Sequence, residues 1–152
     1  VMNEVSRRDD RLASIAYLEA YRSPCRIRHG CIATINGKIV ARGYNHYRTY
    51  SSNNFIKNPC SCHAEMHVLY QCDQKLTNKQ LKKLTLYIVR ISGTGELKES
   101  APCIDCTQCF KHLNIKRIVY SRDNGTLTSK KQELYHTNFV TRSNELYLIQ
   151  SR

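Results

Sequence analysis

Two short stretches of the chain carry residue types suited to metal chemistry. Cys62-His63-Ala64-Glu65 offers a histidine with a carboxylate two residues on, and Pro102-Cys103-Ile104-Asp105-Cys106 offers a pair of cysteines one helical turn apart. One imidazole and two thiolates are a ligand set that suits tetrahedral zinc. Three protein ligands leave the fourth position to a water, whose pKa zinc lowers to about 7, so that hydroxide becomes available at neutral pH. Glu65 then has a natural role outside the ligand set: a carboxylate that cycles between charged and neutral forms can take up and return protons.

Two other zinc chemistries use similar residues. A structural zinc needs a fourth protein ligand, and Cys60, Cys62 and Cys109 all lie close enough in sequence to supply one. His63 and His67 stand four apart, like the paired histidines of a zinc protease helix. That motif places its glutamate directly after the first histidine, however, whereas here Ala64 intervenes.

The H-x-E followed by P-C-x-x-C resembles the zinc-dependent cytidine and deoxycytidylate deaminase superfamily, which also holds the tRNA adenosine and polynucleotide cytidine deaminases. The resemblance implies Zn2+ held by His63, Cys103 and Cys106, with Glu65 as the proton shuttle. It also implies substrate contacts. Asn45, closing Gly43-Tyr44-Asn45, would meet the sugar hydroxyl, and the backbone N–H of Ala64 would meet the pyrimidine O2; Ser100, close before the cysteines, would contact the base or cap the helix that follows. The implied reaction is hydrolytic: hydroxide adds to C4 of a cytosine ring and ammonia leaves, giving uracil. Among substrates, deoxycytidylate or a related free cytosine nucleotide ranks first. Family members usually assemble as dimers or higher oligomers, so a homo-oligomer is expected.

The chain also departs from the family. Deoxycytidylate deaminases often continue from Gly-Tyr-Asn with a further glycine, a proline and an arginine, and none of these is in place here. That leaves a second substrate class open, a base within tRNA or a single strand, for which Tyr44, Tyr47 and Tyr50 with Arg48 would serve as stacking groups. A non-catalytic, zinc-stabilised binding module is the third reading. The presence of Glu65 argues against it, because a structural zinc has no use for a shuttle.

A length of 152 residues suits a single domain, 1–152, with a sizeable core. No run of about 18 apolar residues exists, and no apolar segment follows a basic start, so neither a membrane span nor a signal peptide is expected and the location expected is cytoplasmic. Val1 before Met2 reads as a scar of expression. Eight cysteines without a secretory signal are expected as thiols rather than bridges. The net charge of +12 favours polyanionic partners, nucleotides or nucleic acid. The basic residues are nevertheless scattered, as on an ordinary solvated surface, so a nucleic-acid face is not favoured.

The elements that must position these residues are legible in outline. Leu12, Ile15, Ala16 and Ala20 recur at helical spacing over 7–21, with Ser6 as N-cap and Ser23-Pro24 as the stop. Asn36-Gly37 between two apolar runs marks a hairpin of strands 31–35 and 38–44. Residues 46–54 are too polar and aperiodic for a core element and read as a loop. A helix over 63–74, a basic linker or weak helical extension over 75–83, and a buried strand over 85–91 follow. Residues 92–101 read as an insertion forming a mobile flap at the rim of the site. A helix over 103–113 and a strand over 116–120 come next, and with no helix after that strand its partner should return antiparallel. Cys109 reads as a buried thiol. The fold class expected is α/β: a three-layer α/β/α sandwich with a mixed sheet of about five strands and the two metal-bearing helices on one face.

Overall fold

The computed structural model describes residues 5–46 and 63–139. Helix α1 (Arg7–Tyr21) starts where Ser6 accepts a hydrogen bond from the backbone N–H of Asp9, and it buries Leu12, Ala13, Ala16 and Ala20. Strands β1 (Arg28–Ile35) and β2 (Lys38–Tyr44) form the expected hairpin. Asn36 at φ 52° and Gly37 at φ 82° supply the two left-handed residues that such a tight turn demands. Helix α2 (Ala64–Lys75) follows, then the short α3 (Asn78–Leu81), which Thr77 and Gln80 close with a reciprocal capping box. Strand β3 (Leu84–Ile91) is buried along almost its whole length. After it come β4 (Leu97–Lys98), α4 (Ile104–Leu113), β5 (Arg117–Ser121), β6 (Leu127–Lys131) and a 3-10 turn at Gln132–Leu134.

The strands form one mixed sheet in the order β2-β1-β3-β5-β6, with β4 paired to β3 alone. Among the described residues only β3 and β5 run parallel, joined across α4; β6 returns antiparallel from β5, as the absence of an intervening helix predicts. Alternation along the strands then divides the core. Ile32, Tyr87, Val89, Ile91 and Val119 face α1, while Cys31, Ala33, Leu86, Ile88, Ile118 and Tyr120 face α2 and α4. The result is the expected α/β/α sandwich. Gly30 lets α1 lie close on β1: a methyl group there would overlap the carbonyl oxygen of Ala16 and the nitrogen of Ala20.

Two features hold the layers in register. Asp9 on α1 receives both Nη atoms of Arg117 at 2.9 Å and the hydroxyl of Tyr87 at 2.6 Å, so one carboxylate ties α1 to β3 and β5. These bonds keep its carboxyl at about 2 although burial works the other way. The second feature corrects the flap. Residues 92–98 are the turn and return strand of a small hairpin, with Leu97 and Lys98 paired to Ile91 and Arg90, and the turn at Gly95 (φ 86°) receives the hydroxyl of Tyr17 on its carbonyl oxygen. Backbone pairing and a bond to α1 make it an edge of the sheet. The loop expected over 46–54 lies outside the described residues beyond His46.

Among the described residues no helix is long and apolar enough to cross a membrane. Cys25, Cys31, Cys72, Cys103, Cys106 and Cys109 are all free thiols, and Cys60 and Cys62 lie outside the described residues.

Candidate active site

Residues 63 and 103 occupy the same kind of place. His63 is the N-cap of α2 and Cys103 is the N-cap of α4, and neither side chain caps its own helix. Cys106 sits in the first turn of α4, one turn on from Cys103. Both helices therefore bring their positive ends to one point, which favours thiolate over thiol there.

The three side chains converge. His63 Nδ1 lies 3.3 Å from Cys106 Sγ and 3.7 Å from Cys103 Sγ, and the potential ligand atoms of the three residues all lie within 4.8 Å of one another. A tetrahedral zinc with Zn–S of about 2.3 Å and Zn–N of about 2.0 Å sets nitrogen and sulfur about 3.5 Å apart. The observed separations bracket that value, so the donor set fits zinc in both chemistry and spacing. His67 and Cys109 take no part. The His67 ring meets the carbonyl oxygen of Tyr44 at 3.3 Å and packs edge-on against His46, while Cys109 packs against the core, where burial and the charge of Asp73 push its thiol up to about 12.

Protons are already unevenly divided over this group. The hydrogen bond from Cys106 holds the Cys103 thiol down at about 4, against the effect of burial and with help from His63. The same bond, together with burial, raises Cys106. At His63 burial opposes the charged form, but the bond to Cys103 and the charges of Glu65, Cys103 and Asp105 outweigh it and raise the imidazole. The arrangement favours the Cys103 thiolate beside the protonated imidazole of His63, and metal binding displaces the remaining protons.

Glu65 lies in the first turn of α2, 6% exposed, and shares a side-chain hydrogen bond with Cys106. Burial raises its carboxyl above the usual range, with His63 acting against the shift. A raised carboxyl at a water-accessible metal site is suited to accepting and returning a proton near neutral pH.

A cavity of about 680 Å3 opens in front of these groups. His63, Ala64, Glu65 and Cys103 line its floor. Ala64 is the first residue of α2, where backbone N–H groups have no intrahelical acceptor. Asn45 also lines the cavity, but its side chain already braces the 23–29 segment: Oδ1 accepts from Ser23 Oγ at 2.6 Å and from the His29 N–H at 2.8 Å, and Nδ2 donates to the Ile27 carbonyl at 2.7 Å. One amide hydrogen remains for any other partner. Ser100 is more fully engaged. Its hydroxyl donates to the Ile88 carbonyl at 2.9 Å and accepts from the Ser121 N–H at 2.8 Å, bridging β3 to β5, and it does not cap α4.

Four further polar or charged residues of the lining escaped the sequence reading. His29 and Arg90 are opposite partners on β1 and β3, and Glu99 is joined to Arg122 by a 2.9 Å bond from Nε. Burial, followed by the positive charges of His63 and Arg90, drives His29 down to about 3, so it is a neutral imidazole at physiological pH. Arg90 was detectable in principle: it is the one charge in the otherwise uncharged run 84–91. Ile27 and Phe139 supply apolar wall and are 51% and 54% exposed at the mouth. Beyond the lining, the tail is joined to the metal helix. Tyr135 donates its hydroxyl to the Pro102 carbonyl at 2.8 Å, and the Phe139 carbonyl accepts from the Ile104 N–H at 2.7 Å.

A His-Cys-Cys group set between two helix ends on an α/β/α sandwich, with a buried carboxylate beside it, defines a zinc site of the deaminase type. The chain belongs to the family described as the cytidine and deoxycytidylate deaminase zinc-binding region, which matches residues 6–122. The protein is thus a zinc deaminase by family. Solved structures share the fold. A dCMP deaminase from the cyanophage S-TIM5 in apo form superposes with a TM-score of 0.58 at 23% identity, over 76% of this chain and 82% of that one. The structure of the S-TIM5 enzyme in complex with dCMP and dUMP gives 0.57 at 21% identity, over 77% and 83%. A cytidine deaminase from Burkholderia pseudomallei gives 0.60 at 14% identity, over 84% and 94%. At these identities the likeness is one of fold. No curated protein matches the chain at a significant level.

Proposed function

We propose that the protein deaminates the cytosine base of a free nucleotide, deoxycytidylate or a close relative, to the uracil form with release of ammonia. The observation that carries this reading is Glu65: a buried carboxylate in hydrogen-bond contact with a ligand cysteine, at the floor of a cavity large enough for a nucleotide. His63, Cys103 and Cys106 would hold the zinc. When bound there, the metal supplies the Lewis acidity that makes water a nucleophile near neutral pH. Glu65 takes one proton of the attacking water and passes it to the ring nitrogen N3, then takes the proton of the new C4 hydroxyl and delivers it to the amine, so that ammonia leaves as the C4 carbonyl forms. Ala64 offers its backbone N–H to the pyrimidine O2, the remaining amide hydrogen of Asn45 is available to the sugar, and Ser100 holds the wall behind them. The same reading includes assembly into a homo-oligomer, which light scattering measures, and work in the cytoplasm.

The test uses zinc-loaded protein with dCMP, CMP, dCTP, deoxycytidine, cytidine and a cytosine-containing single strand, following loss of the cytosine absorbance. Glu65→Gln is expected to keep its zinc and lose roughly 10²- to 10⁴-fold in kcat. Unchanged turnover in the variant would remove Glu65 from the reaction. Failure of the zinc-loaded wild type on every free nucleotide would overturn the substrate class.

A further inference from the structure

The cavity contains one cation whose presence the fold does not explain. Arg90 stands next to last in a strand that is otherwise uncharged and largely buried, where a charge is costly unless it is paired. Its side chain makes no ion pair or hydrogen bond among the described residues, and its Nε is shut off from water with no acceptor. Alternation along β3 puts it on the same side as Leu86 and Ile88, the side covered by α2 and α4, but beyond the helix ends, where the cavity begins. Its cross-strand partner His29 is uncharged at neutral pH and gives it no counter-ion. Arg122, the other arginine of the lining, is already joined to Glu99. Among the described residues the guanidinium of Arg90 is therefore the positive group of the wall left without a counter-ion.

The lining combines groups of different chemistry. Proton-transfer groups lie on the floor, the exposed faces of Ile27 and Phe139 form apolar wall, and the second carboxylate oxygen of Glu99 is buried with no donor directed at it. A ligand that satisfies all of these carries a polar heterocycle, a hydroxyl donor and an anionic group. A planar guanidinium with several unmade N–H bonds matches a phosphate, which accepts two of them at once.

We infer that Arg90 is the specificity-determining residue of this site, recognising the phosphate of a cytosine nucleotide and so selecting the nucleotide over the nucleoside. This rests on the function proposed above and sharpens it. A phosphate could reach Arg90 as the monoester of a free nucleotide or as a diester in a strand; the monoester, with its greater charge and its free terminal oxygens, is the better match for an unpaired guanidinium fork.

The experiment compares wild type, Arg90→Gln and Arg90→Lys as zinc-loaded full-length protein. Steady-state kinetics and calorimetric binding are measured with dCMP, deoxycytidine and a cytosine-containing single strand. Arg90→Gln is expected to lose roughly 10- to 100-fold in binding and in kcat/KM for dCMP, the effect of removing a hydrogen-bonded charge, while deoxycytidine changes less than about 2-fold. Arg90→Lys, which keeps the charge and loses the fork, should fall between them. Equal losses for dCMP and deoxycytidine, or no loss for either, would overturn the inference, and so would a loss confined to the single strand. The two readings fail separately. If the wild type binds dCMP through Arg90 but deaminates nothing, the inference stands and the proposed function falls; if nucleoside and nucleotide are deaminated alike by all three proteins, the reverse holds.

Discussion

Replacing Asp9 by asparagine keeps the shape of the carboxylate and removes its charge from a contact that joins three elements. The side chain is 6% exposed, takes both Nη atoms of Arg117 at 2.9 Å, and accepts the Tyr87 hydroxyl at 2.6 Å. Its carboxyl falls from an ordinary 3.8 to about 2 in the fold. At about 1.36 kcal/mol per pKa unit, that difference corresponds to roughly 2.4 kcal/mol of folding free energy. The Arg117 side chain is 23% exposed, so water screens part of this and about 2 kcal/mol is expected. The sign follows from the direction. A carboxyl depressed on folding contributes fully above the unfolded value of 3.8 and loses its contribution as pH drops from there towards about 2. Asp9→Asn should therefore unfold about 4–8 °C below wild type at neutral pH, and the two proteins should converge as pH falls from about 5 towards 2. Urea titrations followed by circular dichroism at a series of pH values measure this. Acid also strips metal from the site, but it does so in both proteins, so the difference between them isolates Asp9. A gap of the same size at every pH would show that the asparagine disturbs packing rather than charge and would refute the reasoning.

Two further outcomes follow from the fold. Gly30→Ala sets a methyl group against the backbone of α1 at Ala16 and Ala20, which cannot turn aside as a side chain would; a loss of about 3 kcal/mol is expected in thermal melts. Near-wild-type stability would mean that α1 shifts on the sheet at little cost. Tyr135→Phe removes the bond to the Pro102 carbonyl, next to Cys103. Zinc affinity, measured by competition with a chelating dye, should weaken roughly 10-fold, and an unchanged affinity would show that the tail does not help to position that ligand.

Local signals made the outer elements legible. Asn36-Gly37 dictates its own turn, and the spacing of Leu12, Ala16 and Ala20 with Ser6 in front specifies α1 within a few bonds along the chain. The zinc group was readable for a related reason: each half is a short motif at a helix start, and the ligand chemistry requires the halves to meet. What escaped depends on partners far away in sequence. The 92–98 segment has two glycines and no apolar period, so alone it reads as a flap; its pairing comes from β3, and its turn is held by Tyr17 on α1. Asn45 and Ser100 were singled out as substrate contacts, and only the fold reveals how many backbone groups they already hold. Arg90 was overlooked because a strongly apolar run absorbed it into a core strand, although a charge in such a run is the feature most in need of a reason.

The bond between the Phe139 carbonyl and the Ile104 N–H bears on how the site is born. A ribosome releases His63 first, then Cys103 and Cys106, and only after a further stretch of chain the carbonyl that quiets the first amide of α4. Until then that helix start carries an unanswered donor beside its two thiols. A nascent chain halted between β5 and Phe139 would hold all three metal ligands without the acceptor that Phe139 brings to the first amide of α4, so the finished seat needs the chain as far as Phe139.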